Sequence, residues 1–278
     1  MTLLLLAAFV QLQGCAQPPL VPDDPRQPGL LSESLGRVEA ERPGIADVYF
    51  IGGALWASEN VFLREATMAQ KVFDERFDTG GRSIVLANNN GTAATLPFAT
   101  APQLSEAILK VAARMDRNDD VLVVFLTTHG SADHKLVIDM GVKESRIGLT
   151  PMWLKNTLDR SRVRWRVIIL SACYSGGFVD ALANPFTLIV TAADARHASF
   201  GCGDKRRLTY FGEAYIERSF QQTGSLVDAF PLALEWLRTQ EIREQFDASN
   251  PQFVLGDRMR EKLQLLEDRL NKARQAAR

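Results

Sequence analysis

The chain has 278 residues, of which 46% are hydrophobic and 23% are charged, so it is long enough to bury a substantial core in one domain. Its 32 Lys and Arg residues nearly balance 33 Asp and Glu residues. We find no basic stripe with interleaved aromatic residues either, and this argues against nucleic-acid binding. The three cysteines, Cys15, Cys173 and Cys202, are too few and too scattered for a disulfide framework. The body of the chain contains no apolar run of about 18 residues, so no membrane-spanning helix is predicted there.

The N-terminal segment resembles a bacterial lipoprotein signal. An apolar stretch over residues 3–10 is followed by Leu12-Gln13-Gly14-Cys15. This stretch is too short to span a bilayer, which favours a cleaved signal peptide over residues 1–15. The resemblance implies diacylation of Cys15 and a lipid-anchored protein of the bacterial cell envelope, on the periplasmic face of the outer membrane. No Lys or Arg precedes the apolar stretch, so an ordinary apolar N-terminus is the alternative.

Predicted strands and helices alternate along the rest of the chain. Proline-rich residues 16–43 are predicted to be a flexible tether, residues 44–255 the domain, and residues 256–278 a charged C-terminal helix. Apolar runs predict strands at 47–51, 83–87, 121–126, 166–170 and 186–191, with a shorter strand at 136–140. Helical spacing predicts helices at 60–77, 102–115, 150–160, 209–220 and 225–240. Strands that are apolar on both faces and alternate with helices predict an α/β fold, with a mostly parallel sheet covered by helices on both faces.

Two reactive side chains follow predicted strands. The apolar run 121–126 leads to His129 and Gly130, and the run 166–170 leads to Cys173. The carboxyl ends of parallel strands meet at one edge of a sheet, where ligands bind. If the two strands are neighbours, the imidazole is therefore placed to act as a base toward the thiol. The backbone N–H groups of Gly130 and Cys173 are then natural donors to an oxyanion.

This pattern, an apolar block ending in His-Gly and a second ending in Ala-Cys, resembles the caspase-like (clan CD) cysteine peptidases. Within that group the chain is most similar to the C13 peptidases, which include legumain and the catalytic subunit of the GPI transamidase. The segments Thr191 to Cys202 and Thr209 to Glu213 also resemble legumain sequences. The resemblance implies a caspase-like three-layer sandwich. It also implies a cysteine-type endopeptidase that cleaves a peptide or protein substrate through a thioester, with no metal or organic cofactor.

The resemblance assigns roles to individual residues. His129 and Cys173 match the catalytic dyad, Gly130 matches a contributor to the oxyanion hole, and Ser199 and Glu213 match positions that line the family's S1 pocket. Glu213 has a second interpretation, because an acidic residue near the start of a helix also complements the helix dipole.

Other positions depart from the family pattern. Ser171 takes the place of an acidic residue two positions before the nucleophile, and we expect it to contribute to substrate binding. Val61 and Phe62 align with the Arg-His pair that helps legumain to bind asparagine, and Asn60 is the candidate for the family's helper asparagine. Peptidase chemistry is therefore predicted, whereas asparaginyl specificity is not.

Several alternatives stay open at this point. A transpeptidase shares the thioester intermediate, and an envelope lipoprotein that uses the domain only for binding needs no catalysis. Ser175 lacks the first glycine of a nucleophile elbow. The set His129, His134, Cys173 and Cys202 contains zinc-ligand residue types, but without a common ligand spacing.

Overall fold

The computed structural model describes residues 20–21 and 23–276. In this part of the chain the strands are β1 Val48–Ala54, β2 Ser83–Ala87, β3 Val121–Thr127, β4 Gly130–Ser131, β5 Lys135–Ile138, β6 Ile147–Leu149, β7 Trp165–Ser171, β8 Thr187–Thr191 and β9 Gln252–Leu255. The main sheet has the order β2-β1-β3-β7-β8-β9. Its first five strands are parallel and β9 is antiparallel to β8, so the mostly parallel sheet is confirmed.

Helices cover both faces of this sheet. They are α1 Gln27–Gly36, α2 Asn60–Phe77, α3 Ala101–Ala112, α4 Pro151–Ser161, α5 Val179–Leu182, α6 Gln221–Thr223, α7 Leu226–Glu244 and α8 Asp257–Ala276, with a π-helix at Gly212–Phe220. Apolar residues of α2, the π-helix, α7 and α8 form one core against the sheet. Residues of α1, α3, α4 and α5 contribute to a second core on the opposite face. The result is the predicted three-layer sandwich.

The segment predicted as a tether differs from that prediction. Residues Gln27–Gly36 form α1, and Leu31 and Leu35 are buried in the core that also contains α3 residues. Burial of two leucines stabilises a helix that is too short to persist in isolation. At the other end, α8 buries Met259, Leu263 and further apolar residues in the core that contains α2. Both terminal helices are therefore packed on the domain.

The order of the strands brings the ends of β3 and β7 together at one edge of the sheet. β3 and β7 are neighbours with Thr127 opposite Ser171, so the segments that follow them start side by side. A small antiparallel sheet of β4, β5 and β6 begins immediately beyond β3. In it, the Val137 N–H donates to the carbonyl oxygen of His129 at 2.9 Å, which fixes the backbone of that residue.

The predicted signal peptide and Cys15 lie outside the described residues. Within residues 20–21 and 23–276, no helix combines the length and the apolar character that a membrane crossing needs.

Candidate active site

Cys173 lies in a tight turn two residues beyond β7. The next residue, Tyr174, has a left-handed backbone with φ of 56°, which turns the chain from the strand into the short 3₁₀ helix Ser175–Phe178. The Tyr174 N–H donates to the carbonyl oxygen of His197 at 2.9 Å. The turn thus places the thiol at the carboxyl end of the sheet, where it is partly exposed.

The His129 segment packs directly on this turn. A Cβ atom at position 130 would overlap the carbonyl oxygen of Cys173, so only glycine permits such a close approach. The structure therefore brings together His129, Gly130 and Cys173 from two adjacent strand ends, as the sequence pattern predicts. The backbone of Gly130 lies against that of the candidate nucleophile.

A carboxylate that the sequence does not predict contacts the imidazole. Glu59 Oε2 lies 2.7 Å from His129 Nε2, and Trp56 and Phe62 pack edge-on against the ring at centroid distances of 4.4 and 5.1 Å. Asn60, the candidate helper, instead accepts a hydrogen bond from Asn89 Nδ2 at 2.9 Å. The residue immediately before Asn60 thus orients the histidine. The sequence gives one indication of this role, which is that the acidic residue Glu59 stands immediately before the expected helper, Asn60.

The surroundings of Cys173 favour its thiolate form. The neighbouring Cys202 side chain, then hydrogen bonds from Ser199 and the charge of His129, lower the pKa of Cys173 to about 5, although burial opposes this shift. The Ser199 N–H lies 3.3 Å from the sulfur atom. The pKa of Cys202 is raised, because the neighbouring Cys173 side chain and the partial burial of the thiol both disfavour its ionisation. A thiolate at neutral pH is the form that acts as a nucleophile.

The three predicted substrate-binding residues have different placements. Ser199 lies at the nucleophile, with its Oγ 3.7 Å from Cys173 Sγ. Ser171 is 2% exposed and donates to Glu65 Oε1 at 2.8 Å, so its side chain points into the helix layer and does not line an open pocket. Glu213 pairs with Arg206 at 2.7 Å and with Arg218 at 2.9 Å, so two guanidinium groups balance its charge.

The alternative chemistries have no matching geometry. Ser175 is buried and donates to the carbonyl oxygen of Ala172 at 2.7 Å, which is unsuited to a nucleophile. His134 Nε2 lies 3.0 Å from the carbonyl oxygen of Ala195. In the part of the chain that the structure describes, no three His, Cys, Asp or Glu side chains are grouped to hold a metal ion.

The mostly parallel sheet with helices on both faces is a caspase-like fold. The crystal structure of caspase-1 from Spodoptera frugiperda is similar, with 13% identity and a TM-score of 0.53 over 79% of this chain and 88% of that chain. A structure of pro-sf-caspase-1 aligns at 12% identity with a TM-score of 0.48, covering 79% of this chain and 94% of that chain. No match was found among curated protein sequences.

The sequence model of the Peptidase C13 family matches residues 106–261, more than half of the chain. The chain therefore belongs to the Peptidase C13 family. It is a cysteine peptidase, a hydrolase whose substrates are peptides or proteins. The matched region contains His129 and Cys173, whereas Glu59 precedes it.

Proposed function

We propose that the protein is an endopeptidase in which Cys173 and His129 form the catalytic dyad and Glu59 orients the imidazole. The observation that carries the proposal is the convergence of a thiol with a lowered pKa and a carboxylate-bound imidazole at adjacent strand ends. A nucleophile, a base and a group that orients the base form an arrangement that supports nucleophilic catalysis.

In the acylation step the Cys173 thiolate attacks the carbonyl carbon of the scissile bond. Sulfur and carbon form a bond, and the carbonyl electron pair moves to oxygen, where the N–H groups of Gly130 and Cys173 stabilise it. When this intermediate collapses, the C–N bond breaks and the protonated His129 gives its proton to the departing amine. Because Nε2 is held by Glu59, Nδ1 is the ring nitrogen that transfers the proton.

In the deacylation step water replaces the amine. Neutral His129 removes a proton from the water, the oxygen bonds to the thioester carbon, and the C–S bond breaks to restore the thiolate. Glu59 stabilises the imidazolium that forms in both half-reactions. If an amine attacks in place of water, the same intermediate gives transpeptidation.

Substitution of the dyad tests the proposal. The purified protein is incubated with a peptide library randomised at the residue before the cleaved bond, and the products are identified by mass spectrometry. We expect Cys173→Ala to abolish cleavage, and His129→Ala to lower kcat/KM by about 1000-fold or more, since it removes the acid–base group. Glu59→Gln keeps an acceptor but not the charge, so we expect an intermediate loss of about 10- to 100-fold.

His197→Ala is the matched control. Its imidazole is also paired with a carboxylate, since Nδ1 lies 2.8 Å from Asp194, and the substitution keeps the backbone carbonyl that accepts the Tyr174 N–H. Its activity should stay within about threefold of wild type. Cleavage that persists in Cys173→Ala overturns the proposal. The proposal is also overturned if the wild-type protein cleaves no peptide and its Cys173 reacts with iodoacetamide no faster than Cys202. The domain would then be a binding module.

We further propose that the chain is anchored to the bacterial envelope by lipid on Cys15. The support is the apolar stretch at 3–10 that leads to Leu12-Gln13-Gly14-Cys15. Labelled palmitate fed to a bacterium that expresses the full chain should be incorporated into wild type but not into Cys15→Ala. A wild-type protein that carries no label excludes the anchor.

A further inference from the structure

A buried carboxylate lies between the ends of the two strands that carry the dyad. Glu65, on α2, is 1% exposed. Its Oε2 accepts a hydrogen bond from Thr127 Oγ1 at 2.5 Å, and its Oε1 accepts one from Ser171 Oγ at 2.8 Å. Thr127 and Ser171 are the last residues of β3 and β7 and lie opposite each other in the sheet. Each comes two residues before a member of the dyad.

The same carboxylate also binds the segment that follows Cys202. Thr209 Oγ1 donates to Glu65 Oε1 at 2.7 Å and accepts the Gly212 N–H at 2.9 Å. A Cβ atom at position 212 would overlap Glu65 Oε1, so glycine is required for this approach. One side chain thus joins α2 to both strand ends and to the chain beyond the Ser199–Cys202 segment.

Stability alone does not explain a carboxylate at this place. Burial raises the pKa of Glu65 to about 7, and the three hydroxyl hydrogen bonds only partly offset that shift. Three other titratable groups lie near Glu65. Cys202 is on the segment that leads to Thr209, and the negative charges of Glu65 and Glu59 help to raise its pKa. His129 and Cys173 follow the ends of β3 and β7. A buried charge with neutral partners costs free energy that a well-packed apolar group would not.

We propose that Glu65 is a positioning residue that holds the ends of β3 and β7 and thereby sets the separation of the His129 imidazole and the Cys173 thiolate. The inference rests on the proposed function of the dyad. The three hydroxyls donate from three different segments, so the carboxylate is their common acceptor. Loss of this acceptor lets the two strand ends shift independently, and small displacements of reacting groups are costly to catalysis.

Glu65→Gln tests the inference, because it preserves volume but replaces one acceptor oxygen by a donor. With the peptide best cleaved in the library assay, we expect kcat to fall by about 10- to 100-fold while KM changes by less than about threefold. The acid limb of the pH profile should also move. In wild type it should lie near the pKa of Glu65, about 7, and in Glu65→Gln near that of Cys173, about 5.

Glu267→Gln is the matched control. Burial also raises the pKa of Glu267 to about 7, but its carboxylate contacts the Leu226 N–H on α7, so neither kcat nor the pH profile should change. If Cys173→Ala is inactive while Glu65→Gln has the wild-type kcat and acid limb, the positioning role of Glu65 is wrong and the proposed dyad is not contradicted. If Cys173→Ala is active, the dyad itself is wrong.

A second set of variants covers failure of Glu65→Gln to fold. Thr127→Val and Ser171→Ala each delete one donor, and the double variant should show the same loss of kcat with KM retained. Thr187→Val is their control, since Thr187 is buried and its hydroxyl has no hydrogen-bond partner among the described residues. Wild-type kcat in the folded double variant contradicts the inference. The rate at which iodoacetamide alkylates Cys173 checks the geometry without any substrate, and it should fall in the same variants.

Discussion

Among its neighbours, Cys202 lowers the pKa of the candidate nucleophile Cys173 most, although the dyad does not include it. The proximity of its side chain is the first cause of the lowered Cys173 pKa, ahead of the Ser199 contacts and the His129 charge. A neutral thiol is a weak donor, so a thiol beside a thiolate can stabilise it without adding a charge. The reactivity of Cys173 therefore depends on a residue 29 positions later in the chain.

We predict that Cys202→Ala raises the pKa of Cys173 from about 5 toward its ordinary value of 9.0, because the neighbouring side chain that lowers it most is removed. Alkylation of Cys173 by iodoacetamide, followed against pH with the modified peptide mapped by mass spectrometry, measures this shift directly. Cys202→Ser is the control, since its hydroxyl remains a donor and should keep the inflection near pH 5. An unchanged inflection in Cys202→Ala would contradict the role of Cys202 in lowering the pKa of Cys173.

The candidate site is only partly predictable from sequence at the scale of residues. His129 and Cys173 can be found because each follows an apolar strand. Glu59 and Glu65 contact their partners across 70 and 62 residues of chain, and only the packing of α2 against the strand ends creates those contacts. Ser171 shows a related limit. Side chains alternate between the faces of a strand, and the sequence does not tell which face the last residue of β7 presents.

At the scale of elements, strong local signals predict well. The apolar spacing of α2 gives its observed bounds, 60–77. Thr150 caps α4 as expected, its side chain accepting from the Trp153 N–H. The local sequence is enough to predict both helices. The α2 segment has a wide apolar stripe, and the α4 segment has a capping residue followed by proline.

Elements that depend on tertiary contacts are missed. The α1 segment is short and proline-rich, and it is held as a helix by burial of Leu31 and Leu35. β9 has four half-buried residues, and pairing with β8 decides its conformation. The helix predicted at 209–220 is a π-helix over Gly212–Phe220. Apolar spacing over two turns does not reveal which carbonyl each N–H binds.

At the scale of the whole molecule, buried acids on separate elements make stability depend on pH. Burial raises the pKa of Glu65 and of Glu267 from 4.5 to about 7, and that of Asp120 from 3.8 to about 6. A group with a raised folded-state pKa binds its proton more tightly in the folded protein. Its contribution to stability is therefore complete below the unfolded-state pKa and is lost as the pH rises through the folded-state value. Acids with lowered pKa values, such as Asp24 at about 2, titrate below this window.

We therefore predict that the free energy of unfolding falls as the pH rises from about 4.5 to about 7, with fully buried Glu65 alone contributing on the order of 3 kcal/mol. Cys173 acts in the opposite direction. Its folded-state pKa is lowered, so it adds stability as the pH rises from about 5 to 9. Urea unfolding between pH 4.5 and 8 in a Cys173→Ala background removes this opposing contribution. Adding Glu65→Gln should flatten the remaining slope, and a slope unchanged by Glu65→Gln would contradict the assignment. Ionised Glu65 would then lower the stability of the fold at the pH where we expect the dyad to be active. A residue that costs stability in this way is expected to be kept for its function.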